Sequence, residues 1–172
     1  MSEVISFDVI ILGAGPAGST AVLALKNSNL KVAVIEKEIF PRDKICGDAV
    51  SSVVKRVLRQ IDPELETQLE QLEEKVYISK AKLFSPEFRS LEFHFSRKGH
   101  CIKRMIFDNW LFEKAKQNKN VEFFQGVNVS GVLVNNDFVE VITADEKVFQ
   151  FFLLPAIYKI GNRDKAQNKH CI

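Results

Sequence analysis

The chain has 172 residues, a formal net charge of +2, and a composition that is 46% hydrophobic and 27% charged. This length fits one domain or one domain plus part of another, and the composition is typical of a packed globular protein. The small net charge predicts no nucleic-acid partner. No apolar run reaches the length of a membrane-spanning helix, and the N-terminus lacks a signal-peptide pattern. Three widely spaced cysteines, Cys46, Cys101 and Cys171, indicate a reducing, cytoplasmic setting without a disulfide framework or a metal site.

The first predicted element is a short buried strand over Phe7–Leu12, which leads directly into the run Gly13-Ala14-Gly15-Pro16-Ala17-Gly18. In this spacing Gly13 allows a tight turn, Gly15 allows a pyrophosphate to approach the backbone, and Gly18 allows the following helix to pack on the strand. The run therefore predicts a phosphate-binding loop between a strand and a helix.

A helix is predicted over Pro16–Asn27, where Pro16 suits the first turn. The free N–H groups near Ala17 and the positive end of the helix dipole would then face a phosphate. A second strand over Leu30–Ile35 ends on Glu36, an acid placed to accept hydrogen bonds from a ribose diol. Because Glu36 would repel a 2′-phosphate, the pattern predicts a site for FAD or NAD rather than NADP.

A polar loop follows over residues 37–48, and such loops often supply ligand contacts. A helix is predicted over Ala49–Ile61. A second helix starts at Asp62-Pro63, and its apolar residues repeat at helical spacing as far as Val76.

Alternation of apolar and polar residues predicts half-buried strands between Val76 and Phe95, with a turn at Ser85-Pro86-Glu87. His94 would face outward from a strand, and His100 would lie in a turn over Arg97–His100. Neither histidine has a predicted partner, so neither is assigned a role.

The rest of the chain predicts further α/β elements and then a three-stranded antiparallel meander. A short strand over Cys101–Met105, a helix over Phe107–Gln117 and a strand over Val121–Phe124 come first. The meander strands are Val127–Val134, Phe138–Thr143 and Val148–Leu153.

Four segments, taken in this order, resemble the geranylgeranyl-reductase family of FAD-dependent oxidoreductases, a branch of the flavoprotein group that includes aromatic-ring hydroxylases. The segments are Phe7–Ser19, Glu36-Lys37 with Phe40–Asp48, Arg104–Leu111, and Gly126 with the meander. The Pro-x-x-Lys-x-Cys-Gly pattern in the second segment is the most specific match. The resemblance covers roughly Phe7 to Phe149.

The resemblance implies an FAD site. The residues that it assigns to cofactor binding are Gly13, Gly15, Pro16, Ala17, Gly18, Glu36, Lys37, Arg42, Lys44, Gly47, Arg104 and Val129. The glycine loop would hold the pyrophosphate and Glu36 the adenosine ribose. Arg104 would contact the phosphate and ribityl part, and the backbone of Val129 would meet the adenine.

The resemblance also places the loop with Cys46 beside the flavin and makes Cys46 the candidate catalytic residue. Neighbouring Arg42 and Lys44 would favour a thiolate, although a small residue that packs the loop remains an equal alternative. For Arg104 the alternative is an ion pair with Asp108 at helical spacing.

The predicted fold class is α/β: a Rossmann-like FAD-binding domain with a β-meander crossover and a partial substrate-domain sheet. Residues 1–75 and 101–155 would form the two parts of the FAD domain, residues 76–100 the substrate-domain strands, and residues 156–172 an atypical tail. By resemblance, the function is flavin-mediated reduction of isoprenoid C=C bonds, on a small-molecule or isoprenoid-lipid substrate. A flavin monooxygenase and a non-catalytic FAD- or NAD-binding module remain alternatives.

The tail departs from the family pattern. Where the family has a strand that ends in Gly-Ala-Asp-Gly, this chain has Gly161-Asn162-Arg163-Asp164. The sequence therefore predicts a truncated or frameshifted family member, or one component of a split protein. Such a chain would be incompetent alone, and a partner chain could complete its fold.

Overall fold

The structure is a computed structural model that describes residues 4–46, 48–145 and 147–152. The described residues divide into two compact units, one formed by those up to Phe40 together with those from Leu111 onward, and the other by Pro41–Trp110. The predicted α/β fold class is confirmed.

Strands and helices are numbered in chain order. They are β1 (Val4–Phe7), β2 (Val9–Leu12), α1 (Pro16–Ala24), β3 (Val32–Glu36), β4 (Ala49–Val50), α2 (Ser52–Ile61), α3 (Pro63–Gln71), β5 (Val76–Phe84), β6 (Ser90–Cys101), α4 (Arg104–Ala115), β7 (Val121–Gln125), β8 (Val129–Val134), β9 (Phe138–Thr143) and β10 (Val148–Phe152).

A parallel sheet in the order β2-β3-β7 forms the centre of the first unit. Every residue of β3 is buried, as expected for the middle strand of a covered parallel sheet. The prediction of one strand over Phe7–Leu12 is wrong, because the chain bends at Asp8 and its two halves join different sheets. The bend is held by Asp8, whose N–H donates to the Lys31 carbonyl at 2.8 Å and whose carboxylate accepts the Lys31 N–H at 2.7 Å.

The second sheet of this unit contains the predicted meander. Its order is β1-β10-β9-β8, with antiparallel pairs within the meander and β1 parallel to β10. Its core joins Phe7 and Phe149 to Ala33 and Ile35 of the parallel sheet. Phe124 meets Phe149 edge to face at a centroid distance of 4.7 Å, a geometry that adds about 0.5–1.5 kcal/mol beyond burial. The aromatic contacts therefore fix the meander against β3 and β7.

The second unit has a sheet in the order β4-β6-β5 beside helices α2 and α3. The predicted helix start at Ala49 is wrong, since Ala49 and Val50 pair with β6 and the helix begins at Ser52. The next helix begins at Pro63, where the Asp62 carboxylate accepts the Glu64 N–H as an N-cap. The helix ends at Gln71, whereas the predicted helical spacing of apolar residues continued to Val76, which is the first residue of β5.

Strand β6 continues through the predicted turn at Arg97–His100. His100 is a fully buried strand residue in contact with Glu70, so the prediction of an unpartnered loop histidine is wrong. His94 lies exposed in the same strand, as predicted. Sequence alternation marks which residues share a face, but burial depends on what covers that face.

The outer part of the β5–β6 pair has one apolar and one polar face. Beyond an irregularity between Ile78 and Lys80, Ala81 pairs with Phe93 and Leu83 with Leu91. The predicted half-burial is not observed, because Leu91 and Phe93 are 58% and 43% exposed.

Helix α4 starts at Arg104, three residues before the predicted start. The short strand predicted over Cys101–Met105 is wrong beyond Cys101, which is the last residue of β6. In its second half, Phe112 stacks on Phe40 at 4.4 Å. Within the described residues, no helix is long and apolar enough to cross a membrane. Gly47, the end of the last meander strand at Leu153, Pro155 and the predicted tail over 156–172 lie outside the described residues.

Candidate dinucleotide-binding site

The glycine loop joins β2 to α1 in the first unit. Gly13 has a φ of +96°, which L-residues with side chains rarely adopt, and its N–H donates to the Ile35 carbonyl at 2.8 Å. A Cβ atom at Gly18 would lie 1.9 Å from the Gly13 carbonyl oxygen. The predicted tight turn and close helix packing are therefore confirmed at these two glycines.

Helix α1 begins without a side-chain cap. Gly15 is the N-cap residue, Pro16 occupies the first turn, and that turn contains no acidic residue. The first backbone bonds run from the Ser19 N–H to the Gly15 carbonyl at 2.9 Å, and the Ser19 hydroxyl donates to the Ala14 carbonyl at 2.7 Å. The N–H groups at the start of a helix and its positive dipole end bind anions, so this uncapped turn fits a phosphate.

Glu36 ties the end of β3 to the glycine loop. One carboxylate oxygen accepts the N–H of Ala14 at 2.7 Å, and the other accepts the N–H of Glu38 at 3.0 Å. Glu36 is only 6% exposed and Ala14 is fully buried. A carboxylate has about four acceptor positions, so these two bonds leave capacity for a ribose diol. The bond to Ala14 was not predicted, although the parallel pairing of two strands that end together could have suggested it.

The residues predicted to surround the adenosine lie in the same unit. The Val127 N–H donates to the Glu36 carbonyl at 3.0 Å, which brings the segment just before β8 to the end of β3. Val129 packs partly buried against the core and pairs with Thr143. Lys37 is exposed and its ammonium lies 3.9 Å from the Glu38 carboxylate. The adenine contact of Val129 and the cofactor contact of Lys37 remain predictions.

In the second unit, a buried carboxylate holds two arginines. Asp108 accepts Nε and Nη2 of Arg104 at 2.6 and 2.7 Å, and Nη1 of Arg42 at 2.8 Å. The Asp108 side chain is fully buried, and those of Arg42 and Arg104 are 12% and 14% exposed. The predicted alternative pairing of Arg104 with Asp108 is therefore present, whereas the bond of Arg42 to Asp108 was missed. The hydrogen bond to Asp108 holds the pKa of Arg104 above its usual value.

Cys46 lies exposed in the loop beside this ion cluster. Its side chain hydrogen-bonds to the guanidinium of Arg104, a contact that also raises the pKa of Arg104. This exposure is contrary to the alternative of a buried packing residue, and an adjacent cation favours the thiolate. Lys44 is exposed, and its N–H donates to the Asp43 carboxylate at 2.8 Å. The cofactor contacts of Arg42, Lys44 and Arg104 and the catalytic role of Cys46 remain predictions.

No cluster in the described part of the chain has the three or more His, Cys, Asp or Glu side chains that could hold a metal ion. The candidate site consists of a strand, a glycine turn, a helix without a side-chain cap, and an acidic residue at the end of the next parallel strand. Together they define a dinucleotide-binding α/β protein.

Comparison with known families matches residues 1–150 to the Thi4 family. Since the match extends over most of the chain, the protein belongs to the Thi4 family.

Individual relatives include a pyrrole-carbonyl carrier-protein brominase of Pseudoalteromonas luteoviolacea. It is 32% identical over 133 residues, which are 74% of this chain and 30% of the relative. A digeranylgeranylglycerophospholipid reductase of Methanopyrus kandleri is 30% identical over 112 residues, 63% of this chain and 26% of that protein. The halogenase PltM, solved with phloroglucinol and FAD, has a TM-score of 0.69 and 19% identity over 84% of this chain and 33% of its own.

The predicted flavoprotein class is confirmed by this family match, and the α/β fold by the similarity to PltM. The two relatives named above are a brominase and a reductase. The chain spans about a third or less of the length of the curated relatives that it matches. The similarity to a geranylgeranyl-type reductase is distant, and the halogenases are equally similar or more so.

Proposed function

We propose that the chain forms the adenosine-diphosphate-binding part of an FAD-dependent oxidoreductase. The pyrophosphate would lie against the N–H groups at the start of α1, and the adenosine ribose against Glu36. The observation that supports this most strongly is the uncapped α1, preceded by the Gly13 turn and braced by the bond from Ala14 to Glu36. A helix N-terminus alone is a weak signal, but the acid at the neighbouring strand end adds an independent ribose contact.

Glu36 also decides between cofactors. A 2′-phosphate on the ribose would meet a buried carboxylate, and like charges at short range in a water-poor site repel strongly. FAD and NAD both present a free ribose diol. The Cys46 loop favours FAD, since its Pro-x-x-Lys-x-Cys-Gly pattern resembles a flavoprotein signature.

When bound, FAD supplies hydride or electron transfer through its flavin ring. The residues proposed to hold its adenosine half are Gly13, Gly15, Pro16, Ala17, Gly18, Glu36, Lys37 and Val129. Those proposed to hold the flavin half are Arg42, Lys44, Cys46, Gly47 and Arg104. A guanidinium suits phosphate oxygens because it donates in a planar fork.

For the reaction, the first candidate is reduction of isoprenoid C=C bonds. Its support is the order of the four sequence segments and the 30% identity to the Methanopyrus kandleri reductase. The exposed apolar face of β5 and β6 has the chemistry that a hydrocarbon chain would contact.

The second candidate is a halogenase-type reaction. It is favoured by the 32% identity to the brominase, which extends over more of this chain than the reductase match. Both candidates share the proposed FAD site and differ in what reoxidises the flavin.

The proposal is tested by calorimetric titration of the full chain with FAD, NAD⁺ and NADP⁺. FAD should bind most tightly and NADP⁺ least. Tighter binding of NADP⁺ than of FAD would contradict the assignment of Glu36.

The reaction class is tested on the FAD-loaded chain after chemical reduction without oxygen. Reoxidation by an isoprenoid alkene supports a reductase, whereas reoxidation only by oxygen, with halide incorporated into an aromatic acceptor, supports the second candidate. Binding with neither reaction fits the module without catalysis and also the predicted incompetence of this chain alone, so the reaction test is then repeated with any partner chain that completes the fold.

A further inference from the structure

A second organised cluster lies in the unit Pro41–Trp110, outside the proposed cofactor site. Its centre is His100, a fully buried residue of β6. His100 pairs with Val50 of β4 on one side and with Tyr77 of β5 on the other. It therefore lies where the three strands of this sheet meet.

Glu70 contacts His100 and also connects it to a lysine of the neighbouring helix. His100 Nε2 lies 3.2 Å from a carboxylate oxygen of Glu70, a residue of α3. The same carboxylate forms an ion pair with Lys55 of α2 and lies 3.4 Å from the hydroxyl of Tyr77. The rings of Tyr77 and His100 are 5.0 Å apart between centroids. We call Lys55, Glu70, Tyr77 and His100 the His100 cluster.

The second ring nitrogen of His100 is unusual. Nδ1 is buried and has no hydrogen-bond partner among the described residues. Because an ionised Glu70 can only accept, Nε2 carries the proton and Nδ1 is the unprotonated nitrogen. A second proton on the ring would have to reside at Nδ1, where no acceptor meets it. A buried N–H without an acceptor, now on a charged ring, is costly.

Burial and the surrounding charges also favour the neutral form of His100. Burial lowers the pKa of His100, the positive charge of Lys55 lowers it further, and the opposing effect of Glu70 is smaller. Burial would raise the pKa of Glu70, but the hydrogen bond from Lys55 and the positive charge of Lys55 help to keep it below its usual value. The titratable or charged groups around the histidine are Lys55 from α2, Glu70 from α3, Lys75 between α3 and β5, Tyr77 from β5, and Lys98 over the Tyr77 ring.

We propose that His100 is a pH-sensitive latch: when neutral it joins strands β4, β5 and β6 to helix α3, and its protonation releases this junction. None of the four residues of the His100 cluster is among those proposed to hold FAD, and all four lie within the unit Pro41–Trp110.

The direction of the pH effect follows from proton linkage. A histidine whose pKa is lower in the folded protein than in the unfolded chain binds more protons when unfolded. The stability is therefore complete above the unfolded value of about 6.5 and falls as the pH drops towards the folded value. Because one proton is involved, the folding equilibrium constant can fall by at most about tenfold per pH unit.

The first test is a proton NMR titration of the histidines of the full chain between pH 8 and pH 4.5. One histidine, identified by its loss in His100→Gln, should titrate below the ordinary range. His94, exposed in the same strand beside Glu92, is the internal control, and its value is read from the same titration. Titration of His100 at or above the value of His94 would overturn the proposal.

The second test compares urea unfolding at pH 7.5 and 5.5, followed by the fluorescence of Trp110, the single tryptophan. Wild type and the matched control His94→Gln should lose stability between the two pH values by several-fold in the folding equilibrium constant. His100→Gln places a neutral amide nitrogen near the Nε2 position and should show a smaller loss. Equal pH dependence in all three proteins, or none in wild type, would overturn the proposal. If His100→Gln does not fold, the wild-type NMR titration decides, with the His100 signal assigned as the one that remains in both His94→Gln and His170→Gln. A folded pKa of His100 at or above the ordinary value of about 6.5 would then overturn the proposal.

Discussion

The substitution Glu36→Gln separates the two roles that the structure and the proposed function give to one carboxylate. In the structure Glu36 accepts the N–H groups of Ala14 and Glu38 at 2.7 and 3.0 Å. Glutamine has the same shape but only one acceptor oxygen, and its amide group would face the other N–H. One charge-assisted bond is lost, at about 1.5–3 kcal/mol, and the remaining bond becomes neutral. We expect the free energy of unfolding to fall by about 2 kcal/mol, roughly 30-fold in the folding equilibrium constant.

The same substitution should weaken FAD separately. A neutral amide that already satisfies one backbone N–H has less to offer a ribose diol, so the Kd for FAD should rise about ten- to hundredfold. Stability is measured by urea unfolding with far-UV circular dichroism, and affinity by flavin fluorescence at urea-free conditions in which the variant is folded. Glu38→Gln is the matched control, because that carboxylate is exposed and two residues away.

Each result identifies one role. Loss of stability with an unchanged Kd for FAD would show that Glu36 only braces the loop, and would refute the ribose contact. Unchanged stability would refute the argument from the buried N–H of Ala14.

Three further predictions concern other parts of the chain. Gly18→Ala should destabilise the protein by about 3 kcal/mol or more in thermal unfolding, because the added Cβ would lie 1.9 Å from the Gly13 carbonyl oxygen. The control Gly131→Ala should not show this clash, because its Cβ would have no atom within 4 Å. Equal losses of stability in the two variants would contradict the packing argument. Asp108→Asn should cost about 3–5 kcal/mol in urea unfolding because it removes the buried negative charge that two nearly buried arginines share. The exposed control Asp43→Asn should cost much less, and a loss below about 1 kcal/mol for Asp108→Asn would refute a structural role for the ion cluster. Alkylation of Cys46, with the other cysteines replaced by serine, should be slowed by added FAD if this loop faces the flavin, and equal rates with and without FAD would contradict that placement.

The first unit was predictable from sequence to the extent that local patterns determine it. The glycine spacing predicted the turn at Gly13 and the packing at Gly18, since both depend only on backbone sterics over a few residues. The strand over Phe138–Thr143 was predicted with its observed bounds, because turn residues flank it on both sides. The bend at Asp8 was missed, since it depends on a partner 23 residues away.

The second unit was less predictable because its decisive contacts are distant in sequence. Nothing local to His100 indicates that Glu70 will lie beside it, so a buried cluster was interpreted as a turn. Helical spacing alone could predict the ion pair of Arg104 with Asp108, because the two residues are four apart. It could not predict the contact of Arg42 with Asp108, which are 66 residues apart. Strand alternation correctly grouped Leu91 with Phe93, but it could not say whether their face is covered.

The central claim is that the glycine loop and Glu36 hold the adenosine diphosphate half of FAD. The most direct measurement is a comparison of FAD with FMN, which carries the same flavin and one phosphate but lacks the adenosine and the second phosphate, by equilibrium binding to the full chain. FAD should bind with a Kd at least about tenfold lower than that of FMN, since FMN lacks the ribose that would contact Glu36 and one of the two phosphates that would face the helix N-terminus. ADP should displace FAD competitively. Equal binding of FAD and FMN, with no displacement by ADP, would contradict the account.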